Sequence, residues 1–159
     1  MSGGLRDYPF QISYGPADDR LHAFYLPALA RSVRYDRSAG FFSSSALAVA
    51  AAGVARLILN GGRMRLLVGA DLSPEDVAAV ARGHALAERL AALYLPRLAD
   101  PTDLLLRQRL EALAWLVAAG RLEIRVVLPT DAAGRPLPAD QARDYYHPKE
   151  GVFTDPAGD

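Results

Sequence analysis

His147 and Lys149 are the residues in this chain best suited to chemistry. The chain holds 17 arginines and one lysine, and that lysine is Lys149. Arg is a rigid planar fork, whereas Lys is a compact point charge on a flexible stem. A chain that takes nearly all of its positive charge from Arg therefore has a particular use for Lys at this position. Lys149 follows His147, one of three histidines, by two residues. Gly151-Val152-Phe153-Thr154 reads as a short buried strand. In a strand, positions i and i+2 point to the same face, so His147 and Lys149 project together with Pro148 turned away. A neutral imidazole can attack phosphorus, and an ammonium can hold the non-bridging oxygens as charge builds on them. The pair has the makings of a phosphoryl-transfer site. A chance His-x-Lys on a surface strand would present the same side chains with no chemical role.

The elements that must position this pair alternate along the chain. Residues 1–15 form an arm, with a short strand expected at Phe10-Gln11-Ile12-Ser13. Gly15-Pro16 breaks the chain, and the domain proper covers 16–159. Asp18 or Asp19 can cap a first helix whose stripe is Leu21, Phe24, Tyr25 and Leu29. His22 lies off that stripe and reads as a solvated surface residue. A first central strand is expected over 32–42, with a bend or close backbone approach at Ala39-Gly40. Ser43-Ser44-Ser45 opens a helix to about Asn60, and Asn60-Gly61-Gly62 ends it. A helix N-terminus is a natural phosphate site, although ordinary capping accounts for serines at such a position. Arg37 and Ser43, at the strand's end, are candidate phosphate contacts on the rim of a site; an ion-paired surface Arg is the alternative for Arg37.

The second strand covers 63–70 and is apolar enough to suit cover on both faces. Ser73-Pro74 starts a helix to about Tyr94, loosened at Gly83, with His84 on its surface. Another helix runs from Asp100-Pro101 to Ala119, with Leu104, Leu105, Ala112, Trp115 and Leu116 inward, and Gly120 ends it. The third strand is 122–128, with Ile124, Val126 and Val127 as buried candidates. An exposed loop over 129–143 precedes the strand at 145–154, and 155–159 reads as a hairpin turn. This alternation is that of an α/β fold.

Composition narrows the function. At 159 residues, 51% of them hydrophobic, the chain fits one domain with a real core. Its formal net charge is zero, which argues against a general electrostatic footprint for nucleic acid but leaves room for a local basic site. It has no cysteine, which excludes disulfides and thiolate metal sites. The three histidines lie on separate elements, and no carboxylate cluster has ligand spacing, so no metal and no cofactor are expected. Met1 to Asp7 lacks the apolar core of a signal peptide, and the run from Ala46 to Ala55 is too short to span a bilayer. The expectation is a cytoplasmic protein with no membrane partner.

His147-x-Lys149-x-Gly151-Val152-Phe153-x-Asp155-x-x-Gly158 resembles the HxK motif of the phospholipase D superfamily. More specifically, it is similar to the phospholipase D-like domain at the N-terminus of certain bacterial superfamily II helicases. The block from Ser32 to Ser45, the block from Asn60 to Leu67 and Leu113-Ala114-Trp115-Leu116 resemble that group in the same order, from about Tyr14 onward. Two differences stand. The superfamily's spacing puts its Asp where Thr154 lies, so Asp155 is one residue late. The chain also ends at Asp159, before the Gly-Ser-x-Asn element that follows in the family, as an N-terminal part of the domain would.

The resemblance implies a mixed β-sheet flanked by helices and a phosphodiesterase, most specifically a metal-independent nuclease acting on DNA. In that family one His attacks phosphorus and a second His protonates the leaving oxygen. Carried over, His147 is nucleophile or acid, Lys149 binds the phosphate, and Asp155 orients a His. With one HxK in the chain, a homodimer or downstream sequence would complete the site, and a helicase module would lie in the same or a partner chain. The alternative is a catalytically silent nucleic-acid-binding or dimerisation module of a helicase.

Overall fold

The computed structural model describes residues 3–69, 74–90, 109–127, 129–135, 137 and 146–159. Its frame is a four-stranded mixed sheet flanked by helices. The strands are β1 (Arg34–Ala39), β2 (Arg63–Val68), β3 (Leu122–Val126) and β4 (Lys149–Thr154), in the spatial order β3-β2-β1-β4. The pairings follow from the connections. β1–β2 and β2–β3 are parallel, and each is bridged by helices, as a parallel crossover requires. β4 returns to the free side of β1 and pairs with it antiparallel. Sequence reading placed strands in these four regions. It extended each by one to several residues and began the last at Tyr145, which lies outside the described residues.

The helices are α1 (Leu26–Arg31), α2 (Ser44–Val49), α3 (Ala51–Leu59), α4 (Pro74–Leu90) and α5 (Arg109–Ala118). Both parallel crossovers step the same way across the sheet, and crossovers of one hand then lay their helices on one face. The core lies there: Leu29, Leu47, Val54, Leu57, Leu113 and Leu116 pack against Tyr35, Met64, Leu66, Val68 and Leu122. β2 shows the consequence most plainly. Met64, Leu66 and Val68 are buried, while Arg63, Arg65 and Leu67 alternate with them and are exposed. The expectation of a strand covered on both faces does not hold among the described residues. The outer face carries Arg34, Asp36 and Arg65 instead, with Asp36 accepting from Arg34 at 2.6 Å and from Arg65 at 2.6 and 2.9 Å.

Local chemistry sets the helix ends. Gly61 adopts φ +77, and its N–H and that of Gly62 reach back to Ile58 and Leu57, closing α3 as expected. α4 starts at Pro74 as expected; its cap Ser73 and its expected end at Tyr94 lie outside the described residues, as do Leu104 and Leu105. Gly83 does not loosen α4. The helix is continuous there, and a Cβ on Gly83 would lie 2.6 Å from the Ala114 carbonyl, so this glycine lets α5 approach closely. The helix expected from Ser43 to Asn60 is two helices, broken at Ala50, whose φ −95 and ψ 15 are not helical. An Ala-rich run has no side chain to announce such a break.

The first helix opens as a π-helical turn over Leu21–Tyr25 before α1. Pro27 has no N–H to continue an i→i−4 ladder, and a change of register there is the local response. Asp19 caps this end by accepting the His22 N–H at 3.2 Å, and its other oxygen meets the exposed His22 ring at 2.8 Å. The arm holds no strand at Phe10 to Ser13. Phe10 packs on Tyr8 and Phe24 instead, and Phe24 continues through Phe153 to a stacked contact with Tyr35. β4 is likewise not a buried strand: among the described residues it is the edge of the sheet, and Val152 is 62% exposed. Among the described residues, no helix is long and apolar enough to cross a membrane.

The one-sided core makes a direct prediction. Leu57→Ala, at a fully buried position, should cost about 2–5 kcal/mol by urea unfolding. Leu67→Ala, on the outer face, should change stability by less than about 0.5 kcal/mol. Equal losses would mean that the outer face is covered.

Candidate functional site

Three backbones converge at the carboxyl ends of β1 and β2, the end of an open α/β sheet where ligands bind. Gly40 follows β1, Gly69 follows β2, and Tyr146-His147-Pro148 leads into β4. The Gly40 N–H donates to the Pro148 carbonyl at 3.0 Å, and the Gly69 N–H donates to the Ala39 carbonyl at 3.2 Å. A Cβ at Gly40 would lie 2.7 Å from the Tyr146 carbonyl oxygen and 2.9 Å from His147 Nδ1. A Cβ at Gly69 would lie 2.5 Å from the Gly40 carbonyl oxygen. Only glycine fits at either position without moving backbone, and their absence of side chains is what seats His147. The close approach at Gly40 was legible in the sequence; the role of Gly69 was not, though a glycine ending an apolar strand is the available signal.

From this junction the ladder with β1 sets Lys149 opposite Ala39. His147 and Lys149 are both exposed, and their side chains meet as the i, i+2 spacing requires. Lys has only donors, so in this contact Nζ donates and His147 Nε2 accepts. On the other side of the segment, the Tyr146 hydroxyl hydrogen-bonds the Ser38 hydroxyl and ties it to β1. Sequence reading assigned neither Tyr146 nor Ser38 a part.

Arg37 and Ser43 are brought together, but in a space of their own. Both line a cavity of about 150 Å³ with Tyr25, Tyr35, Phe41 and Phe42 around its polar side and core residues beneath. Neither His147 nor Lys149 lines it. Arg37 sits opposite Gly151, two residues along β4 from Lys149 and on the same sheet face. Its guanidinium donates to the Tyr35 hydroxyl at 3.0 Å and lies 6.0 Å from the Tyr25 ring centroid. Burial pushes the Tyr35 hydroxyl above its ordinary value, while the neighbouring Arg37 charge opposes that shift. Ser43 holds the N-cap position of α2 without a capping bond from its side chain.

Asp155 does not join the site. It lies at the opposite end of β4 from His147, 2% exposed, and its carboxylate accepts the N–H groups of Leu5, Ala157 and Asp159 at 2.8, 2.9 and 3.1 Å. The orienting role implied by the family's spacing is not available there; this carboxylate fastens the N-terminal arm to the terminal turn. Among the described residues, no group of three His, Cys, Asp or Glu side chains converges to hold a metal.

These placements can be checked by stability and by spectroscopy. Hydrogen bonds, first that from Leu5, hold Asp155 below the ordinary carboxylate value of 3.8. A depressed folded-state value means its stabilisation is present above 3.8 and is lost as pH falls through the depressed value. Asp155→Asn should therefore lower Tm by several degrees at neutral pH, and the gap to wild type should narrow in thermal melts carried down through the carboxylate range. Gly40→Ala should shift the His147 imidazole resonances in NMR spectra, because the new methyl group collides with Tyr146 and His147 backbone atoms. Ala46→Gly, at an exposed position on α2, should leave those resonances in place.

No family model, no curated protein and no solved structure matches this chain.

Proposed function

We propose that the chain is a phospholipase D-type phosphodiesterase module, a metal-independent nuclease acting on DNA through His147. The observation that supports this most is the contact between His147 and the only lysine, side by side at the carboxyl end of the sheet. The motif's resemblance to the HxK family supplies the reaction class.

In this reading a phosphodiester enters between the two side chains. Its non-bridging oxygens draw the Lys149 ammonium away from Nε2, because an anionic acceptor makes the stronger, charge-assisted bond. Freed Nε2 attacks phosphorus, the P–N bond forms, and the P–O bond to the leaving strand breaks. A second histidine, from a twofold-related copy, gives its proton to that oxygen. Water then attacks the phosphohistidine, returning His147 and releasing a phosphate monoester. Lys149 holds the negative charge that grows on the equatorial oxygens in both steps. A helicase module in the same or a partner chain would deliver the strand.

His147→Ala should reduce cleavage by about 10²–10⁴-fold while leaving DNA binding in place. Lys149→Arg should behave as a loss and not as a conservative change, since a wider fork cannot take the place of a point donor. The assay is cleavage of single- and double-stranded DNA with a chelator present, by wild type and both variants. Equal cleavage by all three removes this pair from the chemistry. DNA retention without cleavage of DNA, RNA or model phosphodiesters would favour the silent binding module.

A further inference from the structure

We infer that the Arg37 cavity is a binding subsite for one ring-bearing phosphate ester, with the phosphate on Arg37 and the ring among the aromatic side chains. Arg37 carries a permanent charge into a half-buried position on the core-facing side of β1. No ion pair among the described residues includes it; its contacts there are the Tyr35 and Tyr25 hydroxyls and the Tyr25 ring. The nearest acid in sequence, Asp36, faces the other way and is taken by Arg34 and Arg65. Burial works against this charge, the tyrosine partners bring no formal counter-charge, and an anion at this guanidinium would supply one. Arg's planar fork matches a phosphate with two parallel donors, and Ser43 on the same lining adds a hydroxyl.

The cavity's other walls select what accompanies the phosphate. They are rings and aliphatic groups: Tyr25, Phe41, Phe42 and Leu47 among them. Phe41, on that lining, is 64% exposed, which is unusual for a Phe and leaves its ring available for stacking. A cavity of about 150 Å³ holds one six-membered ring, as an apolar cavity of about that size takes up benzene. It does not hold a base pair or a long acyl chain. Base–aromatic stacking of this kind is how single strands are held without sequence preference. The ligand is therefore a single nucleotide unit, a pyrimidine ring with its phosphate, lying beside the His147–Lys149 pair. Its identity as a nucleotide rests on the phosphodiesterase reading above.

The test is equilibrium binding by calorimetry, without cleavage, using phenyl phosphate, dTMP and inorganic phosphate on the whole chain. Phenyl phosphate and dTMP should both bind at least tenfold more tightly than inorganic phosphate. Arg37→Gln should weaken both by tenfold or more. Ala46→Leu, which fills the cavity from α2, should abolish the advantage of the ring while leaving inorganic phosphate unchanged. His147→Ala, measured alongside, should keep both ring-bearing probes at least tenfold tighter than inorganic phosphate. Equal affinity for the three probes, or no effect of Ala46→Leu with the fold shown intact by its melting profile, overturns the subsite. Phenyl phosphate binding with dTMP excluded overturns the nucleotide assignment. Loss of all binding in His147→Ala places the phosphate at the catalytic pair and overturns the subsite while leaving the phosphodiesterase reading standing.

Discussion

Ala39 faces Lys149 across the β1–β4 ladder, and that register determines what shares a face with what. Because side chains alternate, Lys149, Gly151 and Phe153 lie on the core-facing side with Tyr35 and Arg37. Glu150, Val152 and Thr154 lie on the outer side with Arg34, Asp36 and Ser38. A slip of one residue would send Lys149 to the charged outer face and put Glu150 beside Arg37. It would also bring Val152 against the ring of Tyr35, where Phe153 now stacks at 4.3 Å. The register is held at both ends. Gly40 and Gly69 admit the Tyr146–Pro148 backbone at one end, and Asp155 collects the amides of the arm and turn at the other.

Strand and helix identities were legible in the sequence because Gly61, Gly120 and Pro74 punctuate them with backbone chemistry that has few alternatives. The joint projection of His147 and Lys149 was legible because an i, i+2 pair in a strand has one geometry. Burial was not. Met64 to Val68 is apolar at four of its five positions, and nothing in that run says that Leu67 will be 42% exposed while Leu66 is buried. Among the described residues, one-sided cover arises from the direction of the crossovers, which is a property of topology. Asp155 misled for a related reason. Motif spacing reports distance along the chain, whereas its partners are the amide of Leu5, 150 residues away, and those of its own turn.

The two arginine environments on β1 show how neighbouring positions diverge. Arg34 meets a carboxylate in a solvated setting, where an ion pair contributes little net stability. Arg37, three residues on and on the opposite face, meets a phenol and a ring where water is partly excluded. A guanidinium cannot shed its proton to escape such a setting. Burial disfavours its charge, the tyrosine neighbours favour it, and the balance raises its pKa. The difference between these two arginines is one of facing, and the sequence Arg34-Tyr35-Asp36-Arg37 displays it only once the strand is known.

Exposure limits what the His147–Lys149 pair can do by itself. Both side chains are open to solvent, and a unit charge at hydrogen-bond range in water contributes about 1 kcal/mol, against about 4 kcal/mol where the effective dielectric falls to about 20. A nucleophile hydrated on its open side must also shed that water before it attacks. Phosphoryl transfer on this edge strand therefore requires a second surface to close over it, one that excludes water and supplies the proton for the leaving oxygen. The cavity at Arg37 bears on where that surface can sit. If the Arg37 cavity takes a ligand, such a surface would have to leave the lip at Phe41 and Ala46 free.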